Sequence, residues 1–328
     1  MADGTRENRP FDKKILQEIE DNLDPADPSK CPMGIEILGY GEISTVFGLP
    51  SVAGRSWACK RLPIFTSEKE AQDYIELYKK YNLKLSECGI NVPQFDGVSV
   101  IGHGGIYVDY LLQERLDEAS VCHNVIHGVS EDHAVFMLER IVCEAAGVWR
   151  FNKKKTGMAL GLDGQLSNWA VKDFNHENFK IDPDTKFYFI DTSTPFIRKN
   201  GMEQINGRLL LKSAPKILQS LLAWIFLKDI IGRYYNFRDV IIDLFANLHK
   251  EQLPDLIDPG IDRINHLLEN GLSEFKIKPV LRSEIDKYYN EDKFIWALYL
   301  GVRRFDRYVK TRILRRRYEF ILPGKIKR

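Results

Sequence analysis

Between Gly34 and about Leu116 the apolar positions fall in short runs, IEILGY, STVFGL, SWACKRL, VSVIG and IYVDYLL, rich in β-branched and aromatic side chains. Runs of this length and composition predict strands, hairpin-linked and antiparallel. One stretch among them, SEKEAQDYIELYKKYNLKL, has helical character, and Ser67 followed three residues later by Glu70 suits a capping box at its start. Beyond Leu116 the period lengthens. Ala134, Leu138, Ile141, Val142, Ala145 and Val148 recur every three or four residues and predict an amphipathic helix over residues 131–153. Short strands return at ALGL, just before Asp163, and at KFYFID, ending on Asp191, with a DPDT turn ahead of the latter. From Ser213 onward the pattern is helical, punctuated by Pro254, Pro259 and Pro279. The expected fold class is α+β: a small antiparallel-sheet lobe with one helix over residues 31–116, then a mainly helical lobe over 117–328. Residues 1–30 combine many charges with Pro10, Pro25 and Pro28 and are expected as a flexible arm, although KKILQEIEDNL has the pattern of a short amphipathic helix.

Composition narrows the functional classes. The 328 residues are 44% hydrophobic and 28% charged, which excludes a wholly disordered or collagenous chain. A net charge of +1 removes any whole-protein case for a polyanionic partner. Five scattered cysteines with no C-x-x-C pair argue against a disulfide framework or a zinc site and suit a reducing, cytoplasmic setting. The polar N-terminus lacks the apolar stretch of a signal peptide, and the most apolar run, SLLAWIFL, is too short to span a bilayer, so no transmembrane segment is expected. The charge is uneven, however. Gly301–Arg328 carries eleven Lys and Arg against two acids, leaving the rest of the chain net negative. Such a basic tail suits nucleic acid, an anionic membrane or an acidic partner, or is simply a solvated helix face.

The chemistry-bearing residues begin with GYGEISTVF. Gly39 and Gly41 between two strand-like runs let a backbone turn approach phosphate oxygens closely, and Val46 is placed to pack on a base; an ordinary hairpin turn would use glycine equally well. The next run, SWACKRLP, places Lys60 within an apolar strand, where it can neutralise phosphates or serve as a surface lysine. The following helix offers Glu76, with Glu70 as rival, as an ion-pair partner holding Lys60 in position.

This order of glycine-rich hairpin, A-x-K strand, glutamate-bearing helix and two further strands resembles the N-terminal lobe of the protein-kinase-like superfamily, in particular its aminoglycoside- and choline-phosphotransferase branch. GYGEISTVF is similar to G-x-G-x-x-G-x-V, with Ser44 replacing the third glycine, and Ala58-Cys59-Lys60 stands where the family has A-x-K. The resemblance implies a bilobal kinase-like fold, a hinge for adenine near Gln113 to Leu116, and ATP and Mg2+ as cofactors. It also implies a catalytic aspartate, an asparagine five residues on and a metal-binding aspartate at a strand end. GLDGQLSNWAV supplies Asp163 and Asn168, and KFYFID supplies Asp191. Asp173 and Asn178 form a second pair of the same spacing, nearer to Asp191. The first pair is preferred because Asp163 follows a short apolar strand soon after a long helix, the second reading as a charged hairpin extension. Asp163 would then orient the acceptor hydroxyl, Lys60 grip phosphate, and Asn168 with Asp191 hold magnesium. The implied activity is transfer of phosphate from ATP to a small-molecule hydroxyl. No H-R-D or H-G-D precedes Asp163, which keeps two alternatives open: a pseudokinase-like nucleotide-binding module, or a kinase-like scaffold binding RNA or membrane through its tail.

Overall fold

Side chains alternate between the two faces of a strand, and in this protein each face of the main sheet meets a different helix. The computed structural model describes residues 12–40, 44–52, 55–175, 179–210 and 229–322. Strands β1 (Glu36–Tyr40), β2 (Thr45–Val52), β3 (Arg55–Phe65), β4 (Phe95–Ile101) and β5 (Tyr107–Glu114) form one antiparallel sheet in the order β1-β2-β3-β5-β4. On one face Trp57, Cys59, Phe47, Leu49, Val98, Val100, Val108, Tyr110 and Leu112 make a core with Leu16, Ile19 and Leu23 of the N-terminal segment. On the other, Leu62, Ile64 and Leu111 pack with Ala71, Tyr74, Ile75 and Tyr78 of the helix α2 (Glu68–Glu87). The helix lies so close to β4 that a Cβ at Gly97 would overlap the Ile75 side chain. Ser67 caps it by accepting from Glu70 N at 3.2 Å, while the Glu70 carboxylate accepts from Thr66 N at 3.0 Å.

The expectation of a flexible arm over residues 1–30 does not hold for its described part. Helix α1 (Lys13–Asn22) is capped by Asp12 and docks on the sheet with Leu16 and Ile19 fully buried. The reason is a long-range ion pair: Arg61 donates to Glu20 through Nε at 2.7 Å and through Nη2 at 2.6 Å, and Tyr110 donates to the same carboxylate at 2.7 Å. Polar groups this deep persist only when they are mutually satisfied. Residues 317–321 reach the same place. Arg61 Nη1 donates to Glu319 O at 2.8 Å, Arg317 donates to Leu23 O at 2.7 Å, and Ile321 joins the α1-side core. The basic tail is thus anchored at one end rather than solvated throughout.

The remaining half is mainly helical: α3 (Cys122–Val125), α4 (Glu131–Lys154), α5 (Gly207–Leu210), α6 (Asp229–Arg233), α7 (Phe237–Lys250), α8 (Ile257–Asn270) and α9 (Arg282–Tyr308). Two small sheets interrupt it, one of β6 (Met158–Leu160), β9 (Ile197–Lys199) and β10 (Met202–Glu203), the other the hairpin β7 (Trp169–Val171) with β8 (Phe187–Phe189). The predicted face of α4, from Ala134 to Val148, is buried against Trp169, Phe187, Phe189 and the inner residues of α7. Tyr81 and Leu85 at the far end of α2 belong to this second core, so one helix contributes to both halves. The architecture is a mixed α+β fold with an antiparallel sheet and several helices.

Candidate active site

The register of the sheet puts three expected residues on one face. Val46 lies opposite Lys60, and Gly48 opposite Ala58, across β2 and β3, while Ala58 faces Gln113 across β3 and β5. This is the α2 side of the sheet. Gly39 pairs with Val46 at the end of β1, Ser44 is buried at the start of β2, and Gly41 lies outside the described residues.

From this face Lys60 reaches across to the helical half. Its Nζ donates to Asp191 Oδ1 at 2.6 Å and to Ser193 Oγ at 3.0 Å. Ser193 Oγ donates in turn to Asp191 Oδ1 at 2.9 Å, and Tyr74 of α2 donates to Ser193 O at 2.8 Å. Gln113, at the end of β5, donates to Thr192 Oγ1 at 2.9 Å. Burial would raise the Asp191 carboxyl, but the Lys60 ammonium and the hydrogen bonds from Lys60 and Ser193 outweigh it and hold Asp191 below its ordinary value. The D-T-S turn after β8 is therefore fixed from three elements at once.

The partner of Lys60 here is Asp191 rather than Glu76 or Glu70. Glu76 is exposed, because the inward face of α2 is set by Tyr74, Tyr78, Tyr81 and Leu85, and a residue two after Tyr74 points about 200° away from it. Glu70 is used at the helix start. Where a carboxylate was expected to face Lys60, Tyr74 reaches the same turn through a neutral phenol. Only its place within the predicted helical stretch marked that residue in the sequence.

Asp163 is brought to the same centre by backbone constraints on both sides. Gly161 N donates to Phe196 O at 2.9 Å and Leu162 N to Tyr234 O at 2.8 Å, while Tyr81 donates to Gly161 O at 2.7 Å. A Cβ on Gly164 would lie 2.7 Å from Val240 O, so the loop runs against α7. Asn168 is buried, donates from its side chain to Asp163 O at 3.3 Å, and accepts at its carbonyl from Ile190 N, one residue before Asp191, at 2.8 Å. Five residues thus bring Asp163 and Asn168 to the strand end carrying Asp191. The competing Asp173 is exposed in a left-handed turn (φ 57°) within the connection between paired β7 and β8, and Asn178 lies outside the described residues.

Sequence reasoning missed Asp243. It sits inside α7 among Val240, Ile241, Ile242, Leu244 and Phe245, 4% exposed, with its side chain hydrogen-bonded to that of Asp163. Burial, then the charge of Asp191, raises Asp163 to about 6; burial, then the charge of Asp163, raises Asp243 well above the ordinary carboxylate value. Lys250 opposes both rises and is itself paired with Asp292 at 3.1 Å. The available signal was an acid within a mostly apolar helical run, one turn before Asn247, which is buried with it and donates to Asp243 O at 2.9 Å.

The donor set suits a hard cation. Asn168 and Asp191 offer oxygen ligands, and magnesium characteristically takes one or two protein ligands while keeping water and substrate phosphate oxygens. Among the described residues no group of three or more His, Cys, Asp or Glu forms a self-sufficient metal cage.

Fold and site together define an α+β protein with a Lys–Asp–Asn polar centre between an antiparallel sheet and a helical half. Residues 25–307 match a family described as a family of unknown function (DUF6206), and the chain belongs to that family. No curated protein matches it. Among solved structures it is similar to one described as WaaP in complex with acyl carrier protein, with a TM-score of 0.39 and 10% identity over 87% of this chain and 99% of that one.

Proposed function

We propose that this protein is an ATP- and magnesium-dependent phosphotransferase acting on a hydroxyl group of a small molecule. The observation that supports it most is the convergence of Lys60, Asp191, Asn168 and Asp163, from three separate segments, on one polar centre. Phosphoryl transfer needs positioning and charge neutralisation more than covalent chemistry from the protein. In this reading Lys60 holds phosphate oxygens beside the sheet face of Val46 and Ala58, and Asn168 with Asp191 provides oxygen ligands to magnesium. Asp163 orients the acceptor hydroxyl and takes its proton, a task suited to a carboxyl raised toward neutrality. Magnesium-bound ATP, when present, supplies the transferable phosphoryl group and neutralises its charge. The Lys60–Asp191 ion pair holds both side chains in place before a nucleotide arrives.

The experiment is calorimetric titration of ATP, with and without magnesium, into the wild-type protein and Lys60→Ala. The expected result is magnesium-dependent binding that the variant loses by at least tenfold, and equal affinity in the two proteins overturns the assignment. Magnesium-dependent binding with no turnover on any panel of hydroxyl acceptors would favour the nucleotide-binding module, a reading prompted by the absence of H-R-D or H-G-D before Asp163.

A further inference from the structure

Helix α9 has two apolar faces, and among the described residues only one of them is covered. Ile285, Tyr299 and Leu300 are buried on one side together with Arg303, whose guanidinium lies over the Tyr299 and Phe320 rings at 5.6 and 5.4 Å. On the opposite side Phe294, Leu298, Gly301, Phe305 and Tyr308 follow one another at spacings of four and three, a single stripe along the helix. Phe294 is 69% exposed and Phe305 64%, and the exposed apolar surface continues past the helix end through Ile313 and Leu314. Contiguous apolar surface of this kind marks an interaction site.

The charges around it indicate what it meets. Arg304, Arg307, Arg312, Arg315 and Arg316 are all exposed along the same stretch. The two acids of this segment are already paired, Asp306 with Lys310 at 2.8 Å and Glu319 with Arg317 at 3.3 Å. The outward surface is therefore apolar side chains bordered by arginines, on a chain whose remainder is net negative. A second copy of this chain docking through the same face would set one arginine group against another. A nucleic acid would satisfy the arginines but leave Leu298, Ile313 and Leu314 without apolar contact, since aliphatic chains are poor partners for phosphate and sugar. A bilayer carrying anionic headgroups matches both features, with phosphates for the guanidinium groups and acyl chains beneath for the apolar stripe.

We propose that the outer face of α9, with residues 309–316 that follow it, is a docking surface for an anionic lipid bilayer. It lies in the plane of the interface and does not cross it, consistent with the absence, among the described residues, of any helix long and apolar enough to span a membrane. The negative remainder of the chain turns away from the same lipids, so docking also orients the protein.

The test is co-sedimentation of the full chain with vesicles of phosphatidylcholine alone and of phosphatidylcholine containing about one-third phosphatidylglycerol, a strongly anionic surface. Binding is expected on the anionic vesicles only. The triple change Arg312→Glu, Arg315→Glu, Arg316→Glu should weaken it by about a hundredfold or more, each arginine contributing about fivefold through its charge. Phe294→Ser with Phe305→Ser should remove the part of binding that survives high salt. These side chains are exposed, so the thermal midpoints of both variants should stay at the wild-type value. Three results overturn the proposal: no binding to anionic vesicles, binding to an RNA oligonucleotide that the arginine changes abolish while vesicle binding is unaltered, or a dimer in light scattering that Phe294→Ser with Phe305→Ser dissociates.

Discussion

Two aspartates, one buried and one half-buried, show how position overrides residue type. Asp109 and Asp191 are both aspartates at the α2 side of the main sheet, yet their protons are held in opposite senses. Asp191 has Lys60 at 2.6 Å and is lowered. Asp109, opposite Ser99 across β4 and β5 and fully buried, is pushed up to about 8 by burial, with the charge of Glu70 adding to the rise. Between pH 4 and 8 Asp109 is protonated in the folded chain and ionised in the unfolded one, so unfolding releases a proton and stability falls as pH rises across that window. Asp109→Asn should abolish that slope, by up to about 5 kcal/mol across the range, and denaturant unfolding of both proteins at several pH values checks it. Asp191 works the other way, contributing stability at neutral pH that is lost as pH falls below the ordinary carboxylate range. For the proposed reaction, Asp163→Asn should cut the chemical step by several orders of magnitude with ATP affinity retained, because proton acceptance belongs to the transition state. Asp173→Asn, altering an exposed turn, should leave single-turnover rates within about twofold of wild type, in the range of surface changes remote from a site.

At the scale of elements, the Asp163 loop depends on α7. The Gly164 Cα sits where any side chain would meet the Val240 carbonyl and its Cγ1. Gly164→Ala should therefore displace either the loop or the helix, at a cost of about 1–3 kcal/mol for overpacking. A urea melt reads the stability loss, and reduced phosphoryl transfer beyond that loss would report the shift of Asp163. The docking of α1 is the second dependence of this kind. Leu16→Ala leaves a void in the core shared with Trp57 and Val108 and should cost about 2–5 kcal/mol, again measured by urea melts.

Across the whole molecule, helix α1 and the segment around Glu319 meet at Arg61. Glu20 lies 41 residues before it and Glu319 258 after it, and both contact its guanidinium. Removing one partner of a buried pair leaves an uncompensated charge, so Glu20→Ala should destabilise by about 3–5 kcal/mol. Differential scanning calorimetry should show a fall of several degrees in the midpoint. A chain ending at Arg316, which lacks Tyr318 and Ile321, should fall in the same direction.

The local pattern of the sequence determined the elements. The short apolar run SWACKRL marked β3 as a strand, and the three- and four-residue spacing from Ala134 to Val148 made α4 an amphipathic helix, because each is read from its own stretch alone. The position of Asp163 after a short strand, and of Asp191 at the end of another, was legible for the same reason. Tertiary structure alone decided what each polar group meets. Lys60 and Asp191 are 131 residues apart, and nothing local distinguishes Asp191 from Glu76 as the lysine's partner. The burial of α1, the anchoring of the tail on Arg61 and the hydrogen bond between Asp163 and Asp243 likewise join segments distant in the chain. Such pairings are fixed by which faces of finished elements can exclude water together, a property of their packing that no single stretch of sequence carries.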